Sequence, residues 1–324
     1  MMTKTQRLLL SLLSFGLAAC AAGTAAQTTA PNAPNAPSCP PQASAPTQQQ
    51  VQDAQARTRD RGFLWVVSKD GRSHHLYGTI HVGKLDWAFP GPKLRAALAE
   101  AQVLALELDP LDPAIQAGLR TGNVPALPPA LAQRLAHQLE RACLPAQALA
   151  GLHPMMQAMT AMVVDAARDG LLVGYGQEFM LAGLARSRQM RTVSLETPER
   201  QLAALIPSDP ALAERHLAAT LDQLASGLAR RVLVRLADAW ERGDLATVEG
   251  YEHWCECVNG ADDRALLAAL NDERNPAMAE RIAALHGEGR RLFVAVGALH
   301  MTGAKALPAL LQQRGFRVER VEFR

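Results

Sequence analysis

Two stretches decide the reading of this chain: His75-Leu76-Tyr77-Gly78-Thr79-Ile80-His81-Val82-Gly83, and Phe293-Val294-Ala295-Val296-Gly297-Ala298-Leu299-His300-Met301-Thr302-Gly303 near the other end. Each runs an apolar, β-rich segment into Gly-x-x-His, with another glycine shortly after. Gly78 and Gly297 allow a sharp turn and close backbone approach at a strand end. The histidine that follows projects from the sheet edge, where open α/β folds place their ligands. Two other Gly-x-x-His runs, Gly71 to His74 and Gly250 to His253, lack the preceding strand. One such histidine alone reads as structural. The same strand context occurring twice predicts that both strands lie in one sheet and bring His81 and His300 together.

Working outward, residues 63–67 and 75–82 read as strands around the turn Lys69-Asp70-Gly71-Arg72. At least one of His74 and His75 is expected to be exposed. Pro92 opens a helix to about residue 101, and 103–108 reads as a buried strand. Residues 112–170 are Ala- and Leu-rich with repeated prolines, which suggests several short helices. A helix over 178–189 leads to a strand at 191–195, and Pro198 starts another helix. Long helices follow, broken near Gly227 and near Asn275-Pro276. A strand at 292–296, a helix over 301–314 and a strand at 316–321 close the chain. The pattern predicts an α/β fold: a central mixed sheet flanked by helices, with a helical insertion between the N- and C-terminal strand segments.

The chain has 324 residues, of which 48% are hydrophobic, enough to bury a sizeable core and to exclude a disordered or fibrous protein. Formal charge is +2, and it falls to zero once Lys4 and Arg7 are discounted with the leader described next. With 4% aromatic residues as well, nothing favours a nucleic-acid partner.

Lys4 and Arg7 precede an apolar stretch from Leu8 to Ala19 that has the build of a secretory signal (residues 1–19). It ends Leu17-Ala18-Ala19-Cys20, which looks like a bacterial lipobox with Cys20 as the acylated mature N-terminus. No later apolar run approaches the roughly 18 residues of a membrane helix. Residues 20–58 hold almost no bulky apolar side chain and read as a flexible tether, leaving 59–324 as the folded domain. Ala21 after the cysteine suits outer-membrane sorting, so the expected location is the cell envelope, on an outer membrane facing the periplasm. Acylation of Cys20 leaves Cys39, Cys143, Cys255 and Cys257 in an oxidising compartment. A bridge from Cys143 to Cys255 or Cys257 is expected, since the latter two lie too close in sequence to pair without strain.

Glu107 sits in an otherwise apolar strand, and glutamate is rarely buried without a partner. At a strand end, Glu107 and Asp109 would simply meet solvent. Beside two imidazoles, Glu107 instead completes a two-histidine, one-carboxylate set with open positions for water and substrate. A metal-bound water is a usable nucleophile near neutral pH; without metal, the trio suits general acid–base hydrolysis. His253 reads as structural. Glu196 stands at a strand-to-helix junction before the cap Thr197 and Pro198, either next to the site or structural.

The segments HLYGTIHVG (75–83), VLALELD (103–109), SLETPERQL (194–202), NDERNPAMAERI (271–282) and VAVGALHMTG (294–303) together resemble the TraB/GumN family, related to the Tiki metalloproteases. The resemblance runs from about residue 60 to the C-terminus. It implies a sheet flanked by helices and an active site from the two Gly-x-x-His histidines and a glutamate, here His81, His300 and Glu107. It further implies a metal-dependent peptidase, with one divalent ion, manganese or cobalt rather than zinc, and a peptide or protein substrate. Arg274 and Asn275 match the family's Asn-Arg-Asn region and would orient a peptide carbonyl or the glutamate, with Arg274 able to stabilise an oxyanion. Relatives often carry an acid directly after a Gly-hydrophobic pair; here Gly174-Tyr175-Gly176-Gln177 delays it to Glu178. A lipoprotein that holds a metal or metal cofactor through the same histidines, without turnover, is the alternative.

Overall fold

Strands β1 (Phe63–Lys69) and β2 (Arg72–Thr79) pair antiparallel, with Lys69 opposite Arg72. Asp70 and Gly71 between them have φ of 49° and 71°. Positive φ at both central residues makes the two-residue turn whose twist matches its strands, and Asp-Gly is the pair that tolerates it. The computed structural model describes residues 39–323 apart from Thr121 and Asn123; the expected leader, Cys20 and the first part of the expected tether lie outside the described residues.

The other strands are β3 (Val103–Leu106), β4 (Arg191–Ser194), β5 (Leu292–Gly297) and β6 (Arg317–Val321), and the sheet order is β4-β3-β5-β2-β1-β6. Strands β2, β5, β3 and β4 run parallel, while β1 is antiparallel to β2 and β6. The sheet is mixed, as expected. β5 lies between β2 and β3, with Gly297 opposite Thr79 and Ala295 opposite Leu106. The ends that carry His81, Glu107 and His300 therefore share one edge.

Parallel strands covered on both faces read as unbroken apolar runs, and all four residues of β3 are buried. The main core joins the sheet to Leu94 and Leu98 (helix Pro92–Glu100), Leu181 and Ala185 (Gln177–Ser187), and Met278, Ile282 and Leu285 (Asn275–Gly287). A second cluster joins Leu131, Leu135, Met155, Leu217 and Leu221 from helices Pro129–Arg141, Pro154–Asp165 and Pro210–Ala225. The helical insertion thus has a small core of its own, on both sides of β4 in sequence. Gly227, with φ of 70°, separates Pro210–Ala225 from Leu228–Arg242. Among the described residues no helix is long and apolar enough to cross a membrane.

Four expectations need correction. The stretch expected to be featureless to residue 58 contains a helix, Gln48–Ala56, closed by a capping box between Thr47 and Gln50, with Ala54 buried. Glutamine and alanine form helices readily even where bulky side chains are few. Cys143 pairs with Cys39, and Cys255 pairs with Cys257. An extended chain would hold residues i and i+2 nearly 7 Å apart; Glu256, at φ of 54°, folds back and brings the two Cα atoms to 5.0 Å, inside disulfide range. The helix expected from residue 301 starts only at Leu307, because Ala298–Met301 forms a 3-10 turn and Gly303 takes a φ of 85°. Finally, His74 and His75 are both buried.

His74 shows why. Leu292 N–H donates to His74 Nδ1 at 3.1 Å, so the proton of the neutral ring sits on Nε2. That nitrogen lies 2.8 Å from His286 Nδ1, and His286 Nε2 faces Asp70 3.5 Å away. A backbone N–H can only donate, so the direction of the whole chain follows from Leu292. Burial, with the charges of His286 and Arg72 adding, pushes His74 down to about 4. The unfolded chain takes up this proton near pH 6.5 and the folded chain near 4, so stability should fall with pH inside that window and level off below it. The expected loss is up to about 3 kcal/mol. Urea unfolding between pH 7 and 4 on wild type and His74→Asn measures it, because the histidines that do not touch His74 cancel in the difference. Equal slopes in the two proteins would refute the assignment.

Candidate functional site

His81 stands two residues past the end of β2. Its Nδ1 lies 3.1 Å from Glu178 Oε1, and the Thr79 hydroxyl donates to the same oxygen. Glu178 comes from the first turn of the helix Gln177–Ser187, which is held to this edge by Gln177 N–H donating to Ile80 O. Gly83 and Leu172 exchange backbone hydrogen bonds, and a β-carbon at Gly176 would lie 2.4 Å from His81 O. Only glycine lets these two loops meet. The Glu178 carboxylate pushes His81 up to about 9. Burial would raise Glu178 itself, but the His81 ring and the Thr79 hydroxyl hold it below the usual carboxylate value. The His81 side chain is 64% exposed and forms the open wall of the site.

The inner wall is buried. Glu107, one residue past β3, accepts the Gly297 N–H on Oε1 at 2.7 Å and Arg274 Nη2 on Oε2 at 2.6 Å. Leu195 N–H and Glu196 N–H donate to Leu106 O and Glu107 O, so two Leu-Glu pairs lie side by side at the ends of β3 and β4. Arg274 joins their carboxylates: Nε and Nη2 both reach Glu196, and Nη2 also reaches Glu107. Its Nη1 donates to Leu270 O at 2.9 Å and approaches His300 Nε2 at 3.3 Å. All five guanidinium N–H groups are therefore committed to protein acceptors. Burial would raise the Glu107 carboxyl, but the Arg274 guanidinium, with His81 adding, holds it well below the ordinary range.

Asn275 fixes His300. Its Nδ2 donates to His300 O and Lys305 O, which leaves Oδ1 as an acceptor 2.6 Å from His300 Nδ1. The His300 proton is on Nδ1, and Nε2 turns its lone pair toward the Arg274 Nη1 donor, with Glu107 Oε2 3.6 Å away. The three groups converge on Gly297: a β-carbon there would stand 3.3 Å from Glu107 Oε1, 3.7 Å from His300 Cδ2 and 3.9 Å from His81 Nε2. Gly78 serves packing instead, since a β-carbon there would press on Ala298, Met301 and Phe63 at 3.3 Å.

His81, Glu107, His300, Arg274, Asn275 and Glu178 thus meet at one sheet edge. Of the two roles the sequence left open for Arg274 and Asn275, their hydrogen bonds to Glu107, Glu196 and His300 match orientation of the glutamate, and Glu178 orients His81. Glu107 does not simply meet solvent. Asp109 is held by Arg186 through two hydrogen bonds. Glu196, left undecided by the sequence, is the main partner of Arg274. The repeated Leu-Glu at two strand ends, Leu106-Glu107 and Leu195-Glu196, was the signal for it.

The donor chemistry suits a divalent cation. Each imidazole gives Nδ1 to an oxygen acceptor and keeps Nε2 for another partner, the arrangement usual in metal-binding histidines. Two carboxylates against one guanidinium leave a net negative charge in a buried place, which a cation would offset. In the present arrangement Arg274 holds Glu107 Oε2, and among the described residues no three His, Cys, Asp or Glu side chains are grouped closely enough to hold a metal.

The buried triad should weigh heavily on stability. Arg274→Met would leave Glu107 and Glu196 facing each other without a counter-charge, at an expected cost of about 3–5 kcal/mol in urea unfolding. A loss below about 1 kcal/mol would mean that both carboxylates reach water.

Comparison with known proteins adds a relationship. The chain is 26% identical over 275 residues to the uncharacterized protein YbaP of Escherichia coli (strain K12), across 79% of this chain and 96% of YbaP. The match to YbaP of Shigella flexneri has the same extent. No solved structure matches. The TraB/PrgY/gumN family matches residues 63–320, from the first residue of β1 into β6 and through both Gly-x-x-His runs. The chain belongs to the TraB/PrgY/gumN family.

Proposed function

We propose that this protein is an exported, metal-dependent hydrolase acting on peptide bonds, with His81, Glu107 and His300 holding one divalent cation. The observation that carries the reading is the matched orientation of the two imidazoles: Glu178 and Asn275 each take an Nδ1, and both rings line the bare space over Gly297 beside an ionised carboxylate. When bound, the ion would supply Lewis acidity and lower the pKa of a water toward neutrality. The protein's own groups set the conditions. Glu178 and Asn275 fix the ring orientations, and Arg274, clamped by Glu196, restrains Glu107 and keeps it charged. His81 leaves the site open to substrate on the solvent side. Likeness to the Tiki peptidases favours manganese or cobalt, although this donor set would accept zinc as well. Acylation at Cys20 would tie the domain to a membrane of the cell envelope, the outer membrane facing the periplasm in this reading, and mass spectrometry of the mature N-terminus tests it.

Metal content and cleavage of a peptide library, measured on the same preparations, test the site. His81→Ala and His300→Ala should lose both. Glu178→Gln and Asn275→Ala should weaken metal affinity by roughly 10- to 100-fold, the usual effect of removing a partner that orients a ligand. Full metal content with no cleavage of any peptide would reject the hydrolase and leave a metal-holding lipoprotein. Wild-type metal content and cleavage in both histidine variants would reject the shared site.

A further inference from the structure

The segment Tyr251–Cys257 lies outside the site just described and carries chemistry of its own. The Cys255 sulfur is fully buried, whereas Cys257 is half-buried. Each sulfur of their disulfide has its own donor. Cys257 N–H points at Cys255 Sγ at 3.1 Å, and the Tyr251 hydroxyl lies 3.3 Å from Cys257 Sγ. In a closed disulfide such donors contribute little, because a bridged sulfur is a weak acceptor. They matter when the bond opens and a sulfur carries negative charge. Burial pushes the Tyr251 phenol up, so it keeps its proton as a donor.

The surroundings hold this cradle in place. Trp254 donates to Thr247 O at 2.7 Å, stands edge-on to Tyr251 and lies under the Arg235 guanidinium, 4.1 Å from its ring centre. Glu256, between the two cysteines, is exposed and takes a φ of 54°, a conformation costly for a residue with a β-carbon. Opening the bridge frees it to relax. The bridge also spans only 2 residues of sequence against 104 for Cys39–Cys143. Loop-closure stabilisation grows with loop length, so the short bridge constrains the unfolded chain least and the fold depends on it least.

We infer that Cys255–Cys257 is a thiol–disulfide exchange site that takes an external dithiol as its substrate. The dithiol's thiolate attacks Cys257 Sγ, the accessible sulfur. The bond between Cys255 and Cys257 breaks and its electron pair goes to Cys255 Sγ, whose charge the Cys257 N–H meets. The reagent's second thiolate then attacks its own sulfur in the mixed disulfide and expels Cys257 as a thiolate, facing the Tyr251 hydroxyl. The dithiol leaves as a disulfide, oxidised by two electrons; one of its two protons ends on Cys255 and the other in solvent, with Cys257 left as the thiolate that the Tyr251 hydroxyl meets. Because the cradle stabilises the reduced form, the bridge is a better oxidant than one without donors.

Equilibration of the full chain in graded dithiothreitol buffers, followed by alkylation and peptide mapping, tests the assignment. Cys255 and Cys257 should become alkylated at a lower ratio of reduced to oxidised reagent than Cys39 and Cys143. Tyr251→Phe should raise the ratio needed for Cys255 and Cys257 by about three- to tenfold, the effect of losing one hydrogen bond to a charged acceptor, and leave Cys39 and Cys143 unchanged. If the variant fails to fold, the order of opening in the wild type decides alone. Opening of Cys39–Cys143 first, or together with the short bridge, would overturn the inference, as would an unchanged midpoint in a folded Tyr251→Phe protein.

Discussion

The arrangement of this protein turns on one buried guanidinium. Arg274 lies between two carboxylates and one imidazole that come from three different strand ends, and it satisfies all of them at once. A single charge so placed fixes the spacing of β3, β4 and β5 at their common edge more tightly than apolar packing would, because its donors have directions and the apolar core has none. Desolvating these ions is expensive, and the ions are worth their cost only as a set. The position of Arg274, just before the helix Asn275–Gly287, also puts the next residue, Asn275, under His300. Two adjacent residues therefore organise both Glu107 and His300.

Around this edge the fold separates rigidity from access. β5 is buried along almost its whole length and carries His300 into the interior, while β2 lets His81 reach solvent. The helical insertion packs on a second core and leaves the sheet to hold the site. At the other end of β2, His74 and His286 form a directional hydrogen-bonded chain, distant in role from the charged cluster. The same residue type is thus held in opposite ways at the two ends of one strand: without charge where it is sealed in, and toward charge where it meets Glu178 and water.

Much of this was legible in the sequence because it follows from local rules. Asp70-Gly71 announces its turn, the apolar runs announce buried strands, and the twice-used strand-Gly-x-x-His placed two histidines at one edge. Glu107 stood out as a charge in an apolar run. What escaped depended on distances that no spacing rule contains. The partner of Cys143 is Cys39, from a stretch whose composition suggested no structure. Cys255 reaches Cys257 only because Glu256 turns back through a conformation that its residue type disfavours. His74 looked exposable until the backbone N–H of Leu292, far along the chain, gave its ring an acceptor role. For Arg274 the choice between a peptide carbonyl and the glutamate stayed open, because the sequence does not show that Glu196 lies opposite Glu107.

The place of β5 in the sheet has a consequence for the life of the chain. The strand that completes the site is inserted between β2 and β3, which precede it by most of the domain's length. Until Leu292–Gly297 has been made, those two strands have no neighbour on their facing edges, and Glu107 lacks both the Gly297 N–H and His300. A nascent or truncated chain ending before this strand carries His81 and Glu107 without the strand that joins β2 to β3. Whatever chemistry the site performs therefore needs the chain through His300, so the order of strands in the sheet leaves the site incomplete until synthesis is nearly finished.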